Sequence, residues 1–189
     1  MEKMANLLGK PDDARKYQEL AARIKQAFNR TFWNPSTRTY DRNSQAANAV
    51  ALYMGLTTPE NRQQVFDNLI ADIRGRNNAP TAGDVGYRYV LRALEAGGAS
   101  DVIYDMNCKY DTPGYGWQLA HGATALTESW QAYGFVSNNH FMLGHLMEWL
   151  FSGLGGIRQK EDSFGFKHIV IKPEPVGDVR DAQVSYESP

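Results

Sequence analysis

The amino-acid sequence predicts a mainly α-helical domain that runs into the first strands of an all-β one. Two observations support this prediction. Up to about residue 154, apolar residues recur at alternating steps of three and four, and Pro, Gly or Asn interrupt the pattern at short intervals. From Phe164 onward the period changes to two, which is typical of a strand.

Five helices are predicted in the first part of the chain. Asp12 or Asp13 can cap the first helix, and the Asn34-Pro35-Ser36 sequence breaks the chain after it. Pro59 suits the first turn of the third helix, and Ser100 can cap the fifth. In chain order the predicted helices cover residues 14–28, 45–56, 59–75, 84–95 and 100–106.

The C-terminal region predicts one more helix and then strands. Ser137 or Asn138 can start a strongly apolar helix that ends at the glycines from Gly153 onward. A strand is expected over residues 164–171, and a second over residues 182–186. Two such strands need partners that this chain scarcely supplies, so we expect the sequence to be a fragment of a longer protein.

Composition excludes several classes of protein. With 189 residues, 42% hydrophobic and 22% charged, the chain can form one sizeable core. A net charge of −1 without a basic run argues against a nucleic-acid partner. Cys108 is the only cysteine, so an internal disulfide and Cys-pair metal sites are excluded. Without a long apolar run we expect a soluble protein with no membrane partner, and the compartment stays open, periplasm and exterior included.

The stretch from Pro113 to Gly144 concentrates aromatic residues, glycines, amides and a carboxylate, Glu128. Aromatic faces stack on the apolar faces of a sugar ring, while amides, imidazoles and carboxylates bond its hydroxyls. The stretch therefore predicts a carbohydrate site. An ordinary solvated helix glutamate is the competing interpretation of Glu128.

The same residues resemble a known family. The segments GDVGYRYVLRAL, PGYGWQLAHGATALTESW and NNHFMLGHLMEWLFSGLGGI are similar, in this order, to the C-terminal half of the catalytic domain of bacterial α-L-rhamnosidases, glycoside hydrolase family 78. The resemblance implies the C-terminal part of an (α/α)6 toroid over residues 1–157. It also implies the start of a β-sandwich domain, incomplete here, over residues 158–189.

The resemblance also implies site residues. Glu128 matches the general base of an inverting reaction, the carboxylate that takes a proton from the attacking water. His140 matches a sugar-contacting histidine, and Asn139 precedes it in the same element. Trp130 is expected to form a wall of the pocket, with a place in the core as its alternative, and Trp117 is a weaker substrate-binding candidate.

The family's general acid has no matching segment in this chain. Asp84, Asp105, Asp111 and Glu148 are carboxylates without the matching context, so we do not assign that role to them. The acid is expected in the N-terminal half of the toroid, outside this chain. The chain alone is therefore expected to be inactive on the proposed substrate, a rhamnosylated glycan or glycoside.

Neither a metal nor another cofactor is expected. His140 and His145 are five residues apart, whereas a spacing of four would place them on one helix face. The glycines from Gly153 follow a helix, whereas a phosphate-binding loop precedes one.

Other functions stay open at this stage. Thr127 stands where many family members carry tryptophan, which leaves the sugar contacts undecided. The alternatives are a non-catalytic helical carbohydrate-binding or scaffold domain, and another (α/α)6 enzyme such as a different glycosidase, a phosphorylase or a polysaccharide lyase.

Overall fold

The computed structural model describes residues 1–161 and 163–187 of the chain. It is mainly helical, as the sequence predicts. The α-helices are α1 (Glu2–Leu7), α2 (Pro11–Phe32), α3 (Gln45–Tyr53), α4 (Pro59–Gly75), α5 (Asp84–Ala96), α6 (Ser100–Asn107), α7 (Tyr115–Ala120) and α8 (Leu146–Trp149). A 3-10 turn at Phe141–Leu143 precedes α8, and a π-helical turn at Leu150–Leu154 follows it.

Within the described residues, four short strands form two antiparallel pairs. Strands β1 (Trp33–Asn34) and β2 (Thr39–Tyr40) make a hairpin between α2 and α3. Strands β3 (Ile157–Gln159) and β4 (Ile169–Ile171) pair after the last helix. The strand predicted over residues 164–171 is therefore confirmed only at its end, because residues 164–167 form a turn with Gly165 and Phe166 at positive φ. Residues 182–186 are not assigned to a strand.

The core lies where α3 packs against α4 and α5. Gly86 on α5 permits this packing, since a Cβ atom there would lie 2.8 Å from the Cβ of Ala46. The largest fully buried side chains come from β2 and several helices, and they are Tyr40, Gln45, Val65, Leu69, Ile73, Tyr87, Val90, Leu91, Leu94, Ile103, Met106 and Leu143.

Gln45 fixes the loop that leads into α5. Its amide nitrogen donates to Asp72 and to the carbonyl of Ala79, both at 3.1 Å, and its amide oxygen accepts from the Thr81 N–H at 2.9 Å. All these partners surround a side chain with no exposed area. Because a buried amide is costly unless its groups are bonded, this arrangement holds the start of α5 in one position.

An ion-pair cluster joins the helices to the C-terminal segment. Glu95, on the last turn of α5, is 5% exposed and lies 2.6 Å from Arg92 and 3.4 Å from Arg158. Arg158 on β3 also pairs with Glu174 at 2.7 Å, and Ser100 donates to the other oxygen of Glu174 at 2.5 Å. The charges at this end of α5 are therefore neutralised by neighbours.

Candidate active site

The candidate site is a loop between α7 and the 3-10 turn, closed by backbone hydrogen bonds across it. The N–H of His140 donates to the carbonyl of Leu126 at 2.7 Å, and the N–H of Glu128 donates to the carbonyl of Ser137 at 2.9 Å. These two bonds place Glu128 and His140 on neighbouring stretches of chain, although they are separated in sequence.

The same bonds correct the predicted helix start. The sequence predicts a helix from Ser137 or Asn138, but the 3-10 turn begins at Phe141 and α8 at Leu146. The carbonyl of Ser137, which would accept the first hydrogen bond of such a helix, is bonded instead to the N–H of Glu128 across the loop.

Buried polar side chains hold the backbone around Glu128. Thr127 is 1% exposed, and its hydroxyl donates to the carbonyl of Ser129 at 2.6 Å. Gln118, on α7, is also buried, and its amide donates to the same carbonyl at 3.2 Å. The residues on both sides of Glu128 are thus fixed, while its own side chain is exposed.

The carboxylate of Glu128 accepts a hydrogen bond from the N–H of Ser137 at 3.1 Å. The indole N–H of Trp130 is instead bonded to the carbonyl of Ala82. A carboxylate that keeps contact with solvent and is held at one oxygen can still bond a water molecule through its remaining acceptor positions.

His140 is half-buried, with 23% of its side chain exposed. Its Nε2 lies 3.4 Å from Oδ2 of Asp84, the first residue of α5. Asn139, next to it, is exposed, and its N–H is bonded to the hydroxyl of Ser137 at 3.4 Å. Both predicted residues therefore belong to the same closed loop as Glu128, and their contact with a sugar stays a prediction.

Trp130 lies in the core beneath the loop and is 5% exposed. Its indole N–H donates to the carbonyl of Ala82 at 2.7 Å, and its ring meets Tyr87 and Tyr115 edge-on at 4.7 and 5.3 Å. Burial raises the pKa of Tyr87 and of Tyr115, so both phenols stay neutral in this packing. Trp130 supports the loop from below, and its part as a pocket wall stays a prediction.

Trp117 lies at the side of the loop, half-buried. Its ring stacks on that of His121 with centroids 3.9 Å apart, and its N–H approaches the carbonyl of Gln131 at 3.4 Å. His121 also borders a cavity of about 270 Å³ that is open to solvent. Thr127, the residue before Glu128, lines it as well. The residues that line this cavity are His121, Gly122, Ala123, Thr124, Ala125, Thr127, Ala132 and Asn138.

Three residues in or beside this loop are not predicted from the sequence as parts of the site. Ser137 contacts the Glu128 carboxylate through its backbone N–H, and no pattern of side chains in the sequence indicates such a contact. His121 lies in the segment PGYGWQLAHGATALTESW, but no role is predicted for it. Asp84 is considered only as a substitute acid, since 56 positions separate it from its partner His140.

Two further findings concern other kinds of site. Within residues 1–161 and 163–187, no group of three or more His, Cys, Asp and Glu side chains could hold a metal ion. None of the helices in the described ranges combines the length and the apolar character needed to cross a membrane.

The fold is that of a mainly helical domain, and its closed loop carries residue types that can bind sugars. Residues 1–154 match the family described as the bacterial alpha-L-rhamnosidase 6 hairpin glycosidase domain, and the chain belongs to that family. The resemblance predicted from the sequence is thereby confirmed.

Known proteins agree with this assignment. The chain is 30% identical to an alpha-L-rhamnosidase of Streptomyces avermitilis and 26% identical to one of Formosa agariphila. These matches cover 98% and 99% of the chain, but only 18% and 21% of the two relatives. The chain thus spans about a fifth of the length of these relatives.

Solved structures show the same fold. An alpha-L-rhamnosidase from Dictyoglumus thermophilum is 34% identical with a TM-score of 0.84, over 94% of this chain and 20% of that one. The Streptomyces avermitilis alpha-L-rhamnosidase, solved in complex with L-rhamnose, is 27% identical with a TM-score of 0.85, over 94% and 18% of the respective chains.

Proposed function

We propose that this chain is the C-terminal part of the catalytic domain of an inverting α-L-rhamnosidase that removes terminal α-L-rhamnosyl residues. Family membership over residues 1–154 supports the reaction class. Residues 1–157 would then belong to an (α/α)6 toroid, and residues 158–189 to the start of a β-sandwich domain.

The observation that carries the proposal is the placing of Glu128. Its carboxylate is exposed, held by the Ser137 N–H, and part of the loop that also contains His140. A general base must reach a water molecule and keep a fixed direction towards it. In the proposed reaction Glu128 takes the proton of the attacking water as the glycosidic bond breaks.

The general acid would come from protein outside residues 1–189. In an inverting glycosidase the two carboxyl groups stand about 6.5–9.5 Å apart, with the sugar and a water between them. The acid protonates the leaving oxygen while Glu128 accepts the proton of water. We expect residues 1–189 alone to bind rhamnosides weakly at best and to give no measurable turnover of an aryl α-L-rhamnoside.

The test uses protein expressed from the complete coding sequence that contains this chain. Glu128→Gln should lower kcat on an aryl α-L-rhamnoside by roughly 10²–10⁴-fold, the usual contribution of a general base. Glu19→Gln, at an exposed position on α2, is the matched control and should leave kcat unchanged. Proton NMR of the first-formed rhamnose should show the β-anomer, as inversion requires. Near-normal activity of Glu128→Gln would remove the assignment.

A non-catalytic carbohydrate-binding domain is the second candidate. The exposure of Glu128 favours it, because a solvated carboxylate can bond sugar hydroxyls without doing chemistry. Under this alternative the complete protein binds rhamnosides without hydrolysing them, and Glu128→Gln weakens binding only. A different glycosidase of the same helical class would instead show its activity on a panel of aryl glycosides.

A further inference from the structure

We propose that Asp84 is a positioning residue for His140, which it holds as the tautomer that accepts a hydrogen bond from a sugar hydroxyl. The inference rests on the proposed function, because it assigns a role within the same sugar site. Asp84 itself does not touch the substrate in this proposal.

The geometry starts from a fixed carboxylate. Asp84 is the first residue of α5, and its Oδ1 accepts from the N–H of Val85 at 2.8 Å. The chain just before it is held by Gln45 through Thr81 and by Trp130 through Ala82. Asp84 therefore belongs to the helical framework and not to the loop.

The second oxygen of this carboxylate faces the imidazole. Oδ2 lies 3.4 Å from Nε2 of His140, and 39% of the Asp84 side chain and 23% of the His140 side chain are exposed. The backbone N–H of His140 is bonded separately to Leu126 at 2.7 Å. The histidine is thus held at its backbone by the loop and at its ring by α5.

The chemistry of the pair selects the tautomer. An ionised carboxylate only accepts hydrogen bonds, so the nitrogen that faces it, Nε2, carries the proton. In a neutral imidazole the lone pair then lies on Nδ1. His140 consequently offers an acceptor at Nδ1, which suits a sugar hydroxyl that donates its proton.

Loss of Asp84 should therefore act on substrate affinity through His140. Without the carboxylate the ring can rotate, and both tautomers become accessible. In the complete protein, Asp84→Ala should raise KM for an aryl α-L-rhamnoside by up to about tenfold, as loss of the hydrogen bond between a sugar hydroxyl and the neutral His140 ring would, and should change kcat less. Asp84→Asn should recover much of the affinity, because its amide oxygen can still accept from Nε2.

A double-mutant cycle separates positioning from a purely structural role. If Asp84 acts through His140, then Asp84→Ala adds nothing to KM in a protein that already carries His140→Ala. If the two residues acted independently, the two increases in KM would multiply instead. Glu60→Ala, which removes an exposed first-turn carboxylate from α4, is the matched control for the loss of helix-end charge and should leave KM unchanged.

The tautomer of His140 can be measured by NMR without any turnover of substrate. In protein labelled with ¹⁵N-histidine, the His140 signal, assigned by its disappearance in His140→Ala, should show a proton on Nε2, and Asp84→Ala should add the Nδ1–H form. A ring already protonated on Nδ1 alone would overturn the inference, as would multiplicative effects in the cycle. Failure of the proposed function gives a different result, namely normal turnover in Glu128→Gln whatever the state of His140.

Discussion

The two ends of α5 carry acidic residues in contrasting surroundings. Near its C-terminal end, Glu95 is buried and lies between Arg92 and Arg158. At its N-terminal end, Asp84 is partly exposed beside His140, and the nearby loop presents the exposed carboxylate of Glu128. One helix therefore contributes to an ionic clamp at one end and to the candidate site at the other.

This contrast indicates which carboxylates can bind water or a substrate. A buried carboxylate between two arginines has its charge neutralised by them and little access to solvent, and removing it leaves charges without partners. A carboxylate held only at one oxygen keeps positions free for water or substrate. We therefore expect changes near Glu95 to alter stability and changes near Glu128 to alter turnover.

The largest effect on stability is expected from Glu95→Ala. Its loss leaves Arg92 and Arg158 with fewer counter-charges in a buried setting, at a cost of about 3 kcal/mol. Asp101→Ala is the matched control, because Asp101 pairs with Arg74 at 3.0 Å but 65% of its side chain is exposed, so its loss should cost about 1 kcal/mol or less. Calorimetric unfolding of the complete protein measures the stability of both variants. Equal losses of stability would contradict the contrast between a buried and an exposed ion pair.

An intermediate effect is expected from Trp130→Phe. The smaller ring keeps part of the packing against Tyr87 and Tyr115 but leaves the carbonyl of Ala82 without its donor, which should cost about 1–2 kcal/mol. Because Ala82 and the Glu128 loop are joined through this bond, kcat/KM should fall as well. Trp117→Phe, at a half-buried position outside the core cluster, should change the unfolding temperature less.

The smallest effect is expected from Glu174→Gln, and it should depend on pH. Burial alone would raise the pKa of Glu174, but hydrogen bonds from Ser100 and Arg158 outweigh it and hold that pKa below its ordinary value. Stability from such a group is present above its unfolded pKa, about 4.3, and is lost as pH falls through the lower folded pKa. The variant should lose about 1 kcal/mol at neutral pH. Unfolding curves of the two proteins should converge only as pH falls below the lowered folded pKa of Glu174, where the carboxylate is protonated in both states.

Local signals explain the parts of the fold that the sequence predicts well. Helix α4 begins and ends as expected, because Pro59 suits a first turn and Gly75 is a poor helix former. The predicted bounds of α5 and α6 differ from the observed ones by one residue at the C-terminal ends. These features depend on residues close together in the chain.

Long-range contacts explain what the sequence does not predict. The bonds between Leu126 and His140 and between Glu128 and Ser137 convert the expected helix start into a closed loop. The approach of Asp84 to His140 depends on the docking of α5 and has no periodic signature. For Glu128 the family resemblance supplied the assignment, and residue types alone left an ordinary surface glutamate as an alternative.

The most direct measurement of the central claim is chemical rescue of Glu128→Ala in the complete protein. Azide is already an anion and needs no base, so it can attack the anomeric carbon while the general acid, which lies outside residues 1–189 of the complete protein, protonates the leaving oxygen. The assignment of Glu128 as general base predicts that the variant is nearly inactive with water, and that azide restores turnover of an aryl α-L-rhamnoside and yields β-L-rhamnosyl azide. Hydrolysis at the wild-type rate without azide would contradict it, and so would an inactive variant that azide fails to rescue.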